Sequence, residues 1–497
     1  MAVMAPPLTH PPSQAERQLR FVIIGAGLSG IMSAIELARA GYRDITLYEK
    51  ADRVGGTWRE NTYPGVACDV PSHLYCYSFA PNPDFSQMFS PGREIQAYIE
   101  SVAARFEVIP RVRFSEEVTR CEYTQDGWQI QTSTGRRDRA DVLIAATGVT
   151  HHPRLPDLPG LASFEGAAFH SARWDHDTVT RGKRVGVVGT GSTAVQLVAA
   201  LVGEVQKLSL FQRTPQWIMP QDNQTYGPEQ RAQFRQEPDK LRGLRNFLAR
   251  RFAETFSNAV VDIDSPALKV IEDSCRAHLE QAVKDPVLRE KLRPDYRPAC
   301  KRLIITSEFY PAIQHPNAEL VTDAIAEVEP HGVRTRDGRL HELDVLVLAT
   351  GFQTDRFVRP TEVIGRDGVR LDQVWGKSPK AYLSVAVPGF PNLFLLNGPS
   401  SPVGNFSLIE VAELQMRYAL QLISKLRTGE AREVCVQRDA ADSFEEARVE
   451  ATKHTVWVSG CKSWYLDERG VPASWPWPLE RFRSVMEAPD WDAFELT

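Results

Sequence analysis

A glycine-rich segment near the start of this 497-residue sequence has the residue types of a nucleotide site. Gly25, Gly27 and Gly30 form GxGxxG directly after the apolar run 21–24. Such glycines let a turn close, let the backbone approach a pyrophosphate and let a helix pack against a strand, and the helix N-terminus faces the phosphates. Glu49 ends the next apolar run, where a carboxylate can accept hydrogen bonds from a ribose diol. The segment therefore predicts a dinucleotide site suited to FAD.

A second segment repeats this plan with the opposite charge. Gly189, Gly191 and Ala194 form GxGxxA, and Arg213 stands as far after Gly189 as Glu49 stands after the first glycine, 24 positions. A carboxylate repels a 2′-phosphate, whereas a guanidinium binds it through two parallel hydrogen bonds. The second site is therefore predicted to bind NADPH.

Repeated elements around these segments indicate two related modules. The apolar strand DVLIAATG ends at Gly148 and DVLVLATG ends at Gly351, each 13 positions after a turn glycine. Strands alternating with helices predict an α/β fold of two Rossmann-like domains. The predicted division is a flexible tail at 1–19, an FAD-binding domain at 20–150 and 352–497 that is discontinuous and includes a C-terminal loop, and an NADPH-binding domain at 151–217 and 298–351 with a charged helical insertion at 218–297.

Composition narrows the class of protein. A net charge of −5 argues against a nucleic-acid binder, and no run of 18 apolar residues predicts a membrane span. Seven scattered cysteines predict no disulfide framework and a reducing cytoplasm. No His, Asp or Glu cluster has metal-ligand spacing, so no metal is expected. We expect a monomer or a weak homo-oligomer.

Two dinucleotide sites imply hydride transfer from NADPH to a flavin, and three classes of enzyme then remain. A disulfide reductase needs a redox cysteine pair near the flavin, and Cys68 and Cys76, eight positions apart, match this poorly. A non-oxygenating reductase or oxidase needs no further motif. An oxygenase needs a protected flavin and a charge beside it.

Two further motifs carry a family resemblance. FEGAAFHSARWD, at 164–175, fits FxGxxxHxxxWD, and GGTWRENTYPGVACD, at 55–69, fits GGxWxxxxYPGxxxD. Together they resemble type I Baeyer–Villiger monooxygenases, class B flavoprotein monooxygenases, over about 20–470. The resemblance implies that NADPH and O2 convert ketones to esters or lactones, and also oxidise sulfides, through a C4a-peroxyflavin. Flavin-containing monooxygenases that oxidise nitrogen or sulfur share FxGxxxH but usually lack the Trp-Asp ending, and they are the alternative.

The resemblance also assigns roles in the chemistry. In CKRLIIT, Arg302 would stabilise the anionic peroxyflavin and the adduct, while Asp69 would hydrogen-bond Arg302 and hold it over the flavin. Lys301 would bind the 2′-phosphate beside Arg213. Trp464 matches a tryptophan on a mobile C-terminal loop that reaches the nicotinamide.

Other assignments are less direct. His170 is a candidate for proton transfer, but a hinge residue that hydrogen-bonds the backbone in the linker between the two domains is preferred. The remaining residues predicted to bind FAD are Lys50, Gly56, Thr57, Trp58, Tyr75 and Val118, and those predicted to bind NADPH are Thr190, Ser192, Thr193, Gln196 and Thr214. Arg59 and Glu60 replace two aromatic residues of many family members, which leaves the substrate open. The Trp- and Pro-rich stretch 459–478 is predicted to line the entrance.

Overall fold

Two five-stranded parallel sheets form the framework of the chain, which a computed structural model describes over residues 16–497. The first sheet has the spatial order Leu393–Leu395, Val142–Ala145, Arg20–Ile24, Asp44–Tyr48 and Val112–Arg113. The second has the order Ala318–Val321, Lys207–Phe211, Arg184–Val188, Val345–Leu348 and Ala167–His170. Parallel strands covered on both faces read as continuous apolar runs, which is why the sequence predicted them correctly. The predicted α/β fold with two Rossmann-like units is confirmed.

The repeat seen in the sequence is a repeat of structure. Each strand that ends in ATG lies directly beside the strand of its glycine-rich segment. Each is also preceded by antiparallel strands, Val118–Thr124, Gly127–Thr132 and Arg137–Ala140 in the first unit and Ile325–Glu329, Gly332–Thr335 and Leu340–Glu342 in the second. The smaller pairings join Glu362–Ile364 to Val118–Thr124, Ile218–Met219 to Ile304–Ile305, and Val434–Val436 to Phe494–Leu496.

Helices cover the sheets and position the C-terminal part of the chain. Leu28–Arg39 and Ser192–Leu201 begin at the two glycine-rich segments. The long helix Leu408–Thr428 packs in the same core as Leu28–Arg39, and Leu393–Leu395 joins the first sheet, so the chain after residue 351 returns to the first unit. Among residues 16–497, the other α-helices outside the insertion are Thr57–Glu60, Gly92–Arg105, Phe309–Ile313, Leu371–Trp375, Arg438–Thr452 and Leu479–Val485.

The segment predicted to be a helical insertion contains four α-helices. They are Pro228–Gln236, Pro238–Phe252, Pro266–Ala282 and Pro286–Lys291. Each begins with proline, whose fixed φ and missing N–H are tolerated only in the first turn. The pairing of Ile218–Met219 with Ile304–Ile305 brings the two ends of the insertion together.

Three expectations need correction or restriction. Residues 1–15 of the predicted tail lie outside the described residues, and within 16–19 Leu19 is buried and Glu16 forms an ion pair with Arg427 at 2.7 Å. The motif at 164–175 is not only a linker, because 167–170 is the edge strand of the second sheet. In the stretch 459–478, Trp475 is buried in the first unit's core and does not line the entrance.

The expectation of no paired cysteines is wrong. Cys300 and Cys461 form a disulfide across 161 positions, and the other five cysteines are free and buried. The two meet because the segment before Lys301 packs against the C-terminal loop. Cysteine spacing alone cannot reveal such a tertiary contact.

Two features are absent from residues 16–497: a helix that could span a membrane and a cluster of side chains that could hold a metal ion. In that part of the chain no helix is long and apolar enough to cross a membrane. Within the same residues no three His, Cys, Asp or Glu side chains come close enough together to hold a metal ion.

The glycine of FxGxxxHxxxWD gives a test of packing. A Cβ on Gly166 would lie 2.4 Å from the carbonyl oxygen of Asp344 and 2.7 Å from the Phe164 ring. We expect Gly166→Ala to destabilise the protein by about 1–3 kcal/mol, the cost of overpacking, measured by urea denaturation. Gly203→Ala is the matched control, because nothing lies within 4 Å of its Cβ position. Equal midpoints for the two variants would contradict the packing explanation.

Candidate active site

A cavity of about 660 Å³ lies at the carboxyl ends of the strands and joins the two glycine-rich units. Open α/β sheets bind ligands at this edge. Among the residues predicted from sequence, those that line it are Gly25, Gly27, Glu49, Lys50, Gly56, Thr57, Trp58, Asp69, Tyr75, Val118, Ser192, Thr193, Gln196, Arg213, Arg302 and Trp464. Those outside the lining are Gly30, His170, Gly189, Thr190, Gly191, Thr214 and Lys301.

The first glycine-rich segment is shaped by close contacts. A Cβ on Gly30 would lie 1.9 Å from the carbonyl oxygen of Gly25, so only glycine lets the helix approach the turn. The buried Glu49 carboxylate accepts hydrogen bonds from the backbone N–H of Ala26 at 2.9 Å and of Ala51 at 3.0 Å. The acid is therefore fixed at the end of its strand, beside the turn, as a ribose ligand would require.

Two cationic side chains, Lys301 and Arg213, lie near each other beside the second glycine-rich segment. Burial and the nearby charge of Arg213 lower the pKa of Lys301, whose Nζ lies 4.5 Å from the Tyr296 ring centroid. Thr190 donates a hydrogen bond to the carbonyl of Thr214 at 2.8 Å, which holds the turn against the strand end. The repulsion between these two like charges favours an anionic ligand that neutralises them.

Arg302 lies at the cavity surface between the two units. Its Nε and Nη2 donate to Oδ2 of Asp69 at 3.0 and 2.5 Å. The carboxylate charge is the largest cause of the raised pKa of Arg302, so the guanidinium keeps its positive charge at every working pH. The two residues are 233 positions apart in sequence, and the predicted contact between them is present.

The GGxWxxxxYPGxxxD motif contacts both units. Trp58 Nε1 donates to the Tyr75 hydroxyl at 3.3 Å on the cavity wall. Tyr63 donates its hydroxyl hydrogen to Gln196 at 2.7 Å, and Gln196 Nε2 donates to the carbonyl of Ala67 at 3.1 Å. The side chain of Gln196, predicted to bind a cofactor, is thus used to attach the motif to the second unit.

The ring of His170 is occupied by the backbone. Nδ1 accepts a hydrogen bond from the N–H of Ala172 at 3.1 Å, which leaves the proton on Nε2 to be donated to the carbonyl of Gly351 at 3.1 Å. Burial lowers the pKa of His170, which favours this neutral form. These hydrogen bonds attach the strand 167–170 to Gly351, the last residue of the second ATG. They leave no ring nitrogen of His170 free to bind a substrate.

Val118 and Trp464 lie at different parts of the lining. Val118 is buried, and its carbonyl already accepts a hydrogen bond from the Thr361 hydroxyl at 2.8 Å. Trp464 is 40% exposed and packs against Tyr465, with tilted rings whose centroids are 4.1 Å apart. An exposed indole at the cavity is available to a ligand.

The two residues that depart from the family pattern form ion pairs. Arg59 is paired with Glu49 at 3.0 Å and with Glu60 at 2.5 Å, and Glu60 is paired with Arg173 at 2.6 Å. These ion pairs connect Glu49, the acid predicted to bind a ribose, to Arg173 of the FxGxxxHxxxWD segment. The sequence analysis did not predict these ion pairs. Their signal was the adjacent Arg59 and Glu60, at two positions that are aromatic in many family members.

The cysteines near the cavity do not form a redox pair. Burial raises the pKa of the Cys68 thiol and raises that of Cys76 to about 11. Both thiols are free, and only Cys68 lines the cavity. Because a reactive thiol needs a lowered pKa, these residues do not support a disulfide reductase.

Known proteins match this chain over most of its length. The family model for flavin-binding monooxygenase-like proteins matches residues 18–264. The chain is 46% identical over 466 residues to an uncharacterized monooxygenase of Mycobacterium tuberculosis, covering 93% of each protein. It is 39% identical to a Baeyer–Villiger monooxygenase of Streptomyces coelicolor, covering 95% of this chain and 91% of that protein.

Solved structures agree with these matches. Cyclohexanone monooxygenase from Rhodococcus sp. Phi1, bound to NADP+, superposes with a TM-score of 0.85 at 30% identity, covering 96% of this chain and 99% of that one. OTEMO in complex with FAD and NADP superposes with a TM-score of 0.86 at 27% identity and the same coverage. With both glycine-rich units, both motifs and the Arg302–Asp69 pair in place, the chain belongs to the flavin-binding monooxygenase-like family and is one of its Baeyer–Villiger monooxygenases.

Proposed function

We propose that this protein uses NADPH and O2 to convert a ketone to an ester or lactone. The observation that carries the proposal is the position of Arg302, a permanent positive charge on the cavity between the two nucleotide units, held by Asp69. A reductase or oxidase has no need of such a charge, whereas oxygen insertion must stabilise a developing oxyanion.

The residues present fit FAD in the first unit. A Cβ on Gly25 would lie 2.7 Å from the carbonyl oxygen of Ala146 and one on Gly30 would lie 1.9 Å from that of Gly25, so these two positions accept only glycine, and the Glu49 carboxylate is fixed beside the turn. Thr57, Trp58 and Tyr75 continue the cavity wall from there toward Arg302. When bound, FAD supplies the electron transfer that links nicotinamide oxidation to dioxygen reduction.

The second unit fits NADPH. We propose that Arg213 and Lys301 bind the 2′-phosphate and that Ser192 and Thr193, at the start of the helix Ser192–Leu201, face the pyrophosphate. Trp464 would cover the nicotinamide.

The chain's own residues then act on the ketone by position and charge. Arg302 would stabilise negative charge on the carbonyl oxygen, and Asp69 keeps the guanidinium aimed at that place. Phe252 and Phe256 from the insertion line the same cavity, and their apolar rings exclude water from it. We propose that His170 holds the FxGxxxH segment at Gly351, the point where the chain leaves the second unit, and that it has no role in proton transfer.

The proposal also covers the class of substrate, the cellular compartment and the oligomeric state. The substrate is a small molecule, and we propose that the protein acts in the cytoplasm as a monomer or weak homo-oligomer. Five of its seven cysteines are free thiols, which supports a reducing compartment. The Cys300–Cys461 pair would then have to persist there because it is buried.

A conversion screen tests the proposed reaction. We expect purified protein to oxidise NADPH faster when a ketone is present and to form an ester or lactone that contains one atom from 18O2, identified by mass spectrometry. Turnover of sulfides and amines without ketones would instead indicate a heteroatom-oxidising monooxygenase. Hydrogen peroxide as the sole product across the panel would indicate an oxidase.

Loss of the charge at Arg302 should separate the two halves of the reaction. We expect Arg302→Ala to lower ester formation by about 10²–10³-fold, the usual cost of removing one group that stabilises an oxyanion. Anaerobic reduction of the flavin by NADPH, followed by absorbance, should remain. Arg293→Ala, on the insertion surface, is the control and should behave as wild type. Ester formation by Arg302→Ala at the wild-type rate would exclude the assigned role.

Removal of Arg213 should affect only the phosphorylated cofactor. Because a charge-assisted hydrogen bond contributes about 1.5–3 kcal/mol, Arg213→Ala should raise the KM for NADPH by about 10–100-fold. The KM for NADH should change little. Arg181→Ala, which removes an exposed ion pair of the same unit, is the matched control. An equal rise of both KM values would contradict recognition of the 2′-phosphate.

A further inference from the structure

One covalent bond joins the second unit to the C-terminal loop, residues 459–466. Cys300 and Cys461 form a disulfide whose Cα atoms lie 6.2 Å apart, across 161 positions of sequence. Arg302 stands two positions after Cys300, Trp464 stands three positions after Cys461, and both side chains line the cavity. The disulfide therefore links the segment that carries the guanidinium to the segment that carries the indole.

The segment before Arg302 is firmly attached within the second unit. The carbonyl of Tyr296 accepts a hydrogen bond from Trp217 Nε1 at 2.7 Å, and the N–H of Ile304 donates to the carbonyl of Trp217 at 3.2 Å. Cys300 lies between these two contacts along the chain and is completely buried. Its sulfur is therefore a fixed point to which the loop is joined.

The loop has few other attachments near Trp464. In the part of the chain that the structure describes, the backbone groups of 460–464 form one hydrogen bond, 3.2 Å long, with Leu466. Cys461 and Tyr465 are buried, whereas Trp464 between them is 40% exposed. The stretch that carries the indole thus depends on its two buried ends, and one of these ends is held by the disulfide.

We propose that the Cys300–Cys461 disulfide is a redox-sensitive tether that holds Trp464 at the cavity. This rests on the proposed function, in which the indole covers the nicotinamide. While the bond is intact, Trp464 and Arg302 keep their spacing when the two units move, because the loop follows the second unit. When the bond is broken, the loop can open and admit water to the cavity, so that more of the NADPH is oxidised to yield peroxide and less to yield ester.

Reduction of the tether by a dithiol proceeds in two exchange steps. A thiolate of the reductant attacks the sulfur of Cys461, the more exposed of the two residues, and Cys300 leaves as a thiolate that takes up a proton. The second thiolate of the reductant then attacks the reductant's own sulfur in the mixed disulfide, and Cys461 leaves and is protonated. The protein gains two electrons and two protons, and the reductant is oxidised to a disulfide.

Limited digestion with trypsin measures the freedom of the loop independently of activity. Lys462, next to Cys461, is exposed, and trypsin needs the loop to open before it can cleave after this residue. We expect Cys461→Ser, and wild type reduced with dithiothreitol, to be cleaved there about tenfold faster than untreated wild type, because cleavage follows the population of the open form. In denaturant the untreated protein should show five free thiols and the reduced protein seven. Seven thiols without reduction, or an unchanged rate of cleavage, would overturn the tether.

The same variant tests the link to catalysis, at a temperature where it is folded. We expect Cys461→Ser to form about three- to tenfold less ester per NADPH oxidised, in proportion to the time that the loop is open, with hydrogen peroxide as the other product. Cys300→Ser and the double variant should give the same yield, because each removes the same bond. Cys275→Ser is the matched control, since Cys275 is a free, buried thiol in the same apolar cluster, and it should keep the wild-type cleavage rate and ester yield.

Reoxidation separates a tether from structural damage. Treatment with oxidised glutathione should restore the ester yield of reduced wild type and leave that of Cys461→Ser low, whereas a loss that reoxidation does not reverse would contradict the proposal. Faster cleavage together with the wild-type ester yield would overturn the link to catalysis. A wild-type protein that forms no ester from any ketone would overturn the proposed function itself, and the thiol count and the digestion would still report on the tether.

Discussion

The ion pair between Arg302 and Asp69 is the contact on which the arrangement of this molecule depends. It joins a carboxylate of the first unit to a guanidinium of the second, at the cavity that residues of both units line. Removing either partner would leave the other as a charge without its counterion in a half-buried place, which costs several kcal/mol. The pair therefore has a structural consequence as well as a chemical one, because it requires the two units to lie at a defined separation.

Other polar contacts maintain the same separation. Gln196 attaches the YPG loop to the first helix of the second unit, and Arg173 attaches the FxGxxxH segment to Glu60. Within the second unit, His170 holds that segment to the carbonyl of Gly351, the last residue of the second ATG. These are hydrogen bonds and ion pairs, and such contacts can be exchanged during domain motion more readily than a packed core. The FxGxxxHxxxWD motif thus contributes a contact between units and no part of the cavity wall, whereas the GGxWxxxxYPGxxxD motif contributes to both.

Local sequence was sufficient to predict the two nucleotide-binding units. Gly25 to Glu49 and Gly189 to Arg213 are each continuous stretches in which strand, turn and helix are neighbours along the chain, so spacing alone predicts their geometry. The contact of Arg302 with Asp69 was predicted only through the family resemblance. No local pattern relates residues that stand 233 positions apart.

Apart from the ion pairs of Arg59 and Glu60, the features that the sequence missed depend on tertiary contacts of the C-terminal part. Cys300 pairs with Cys461 across 161 positions, and Trp475 packs in the core of the first unit with residues from the N-terminal part of the chain. The composition of 459–478 suggested an entrance wall, but aromatic residues are as suited to a core as to a surface. Because this loop both lines the cavity through Trp464 and is joined through Cys461 to the segment before Arg302, its sequence is constrained by two demands at once, and neither demand has a local signature.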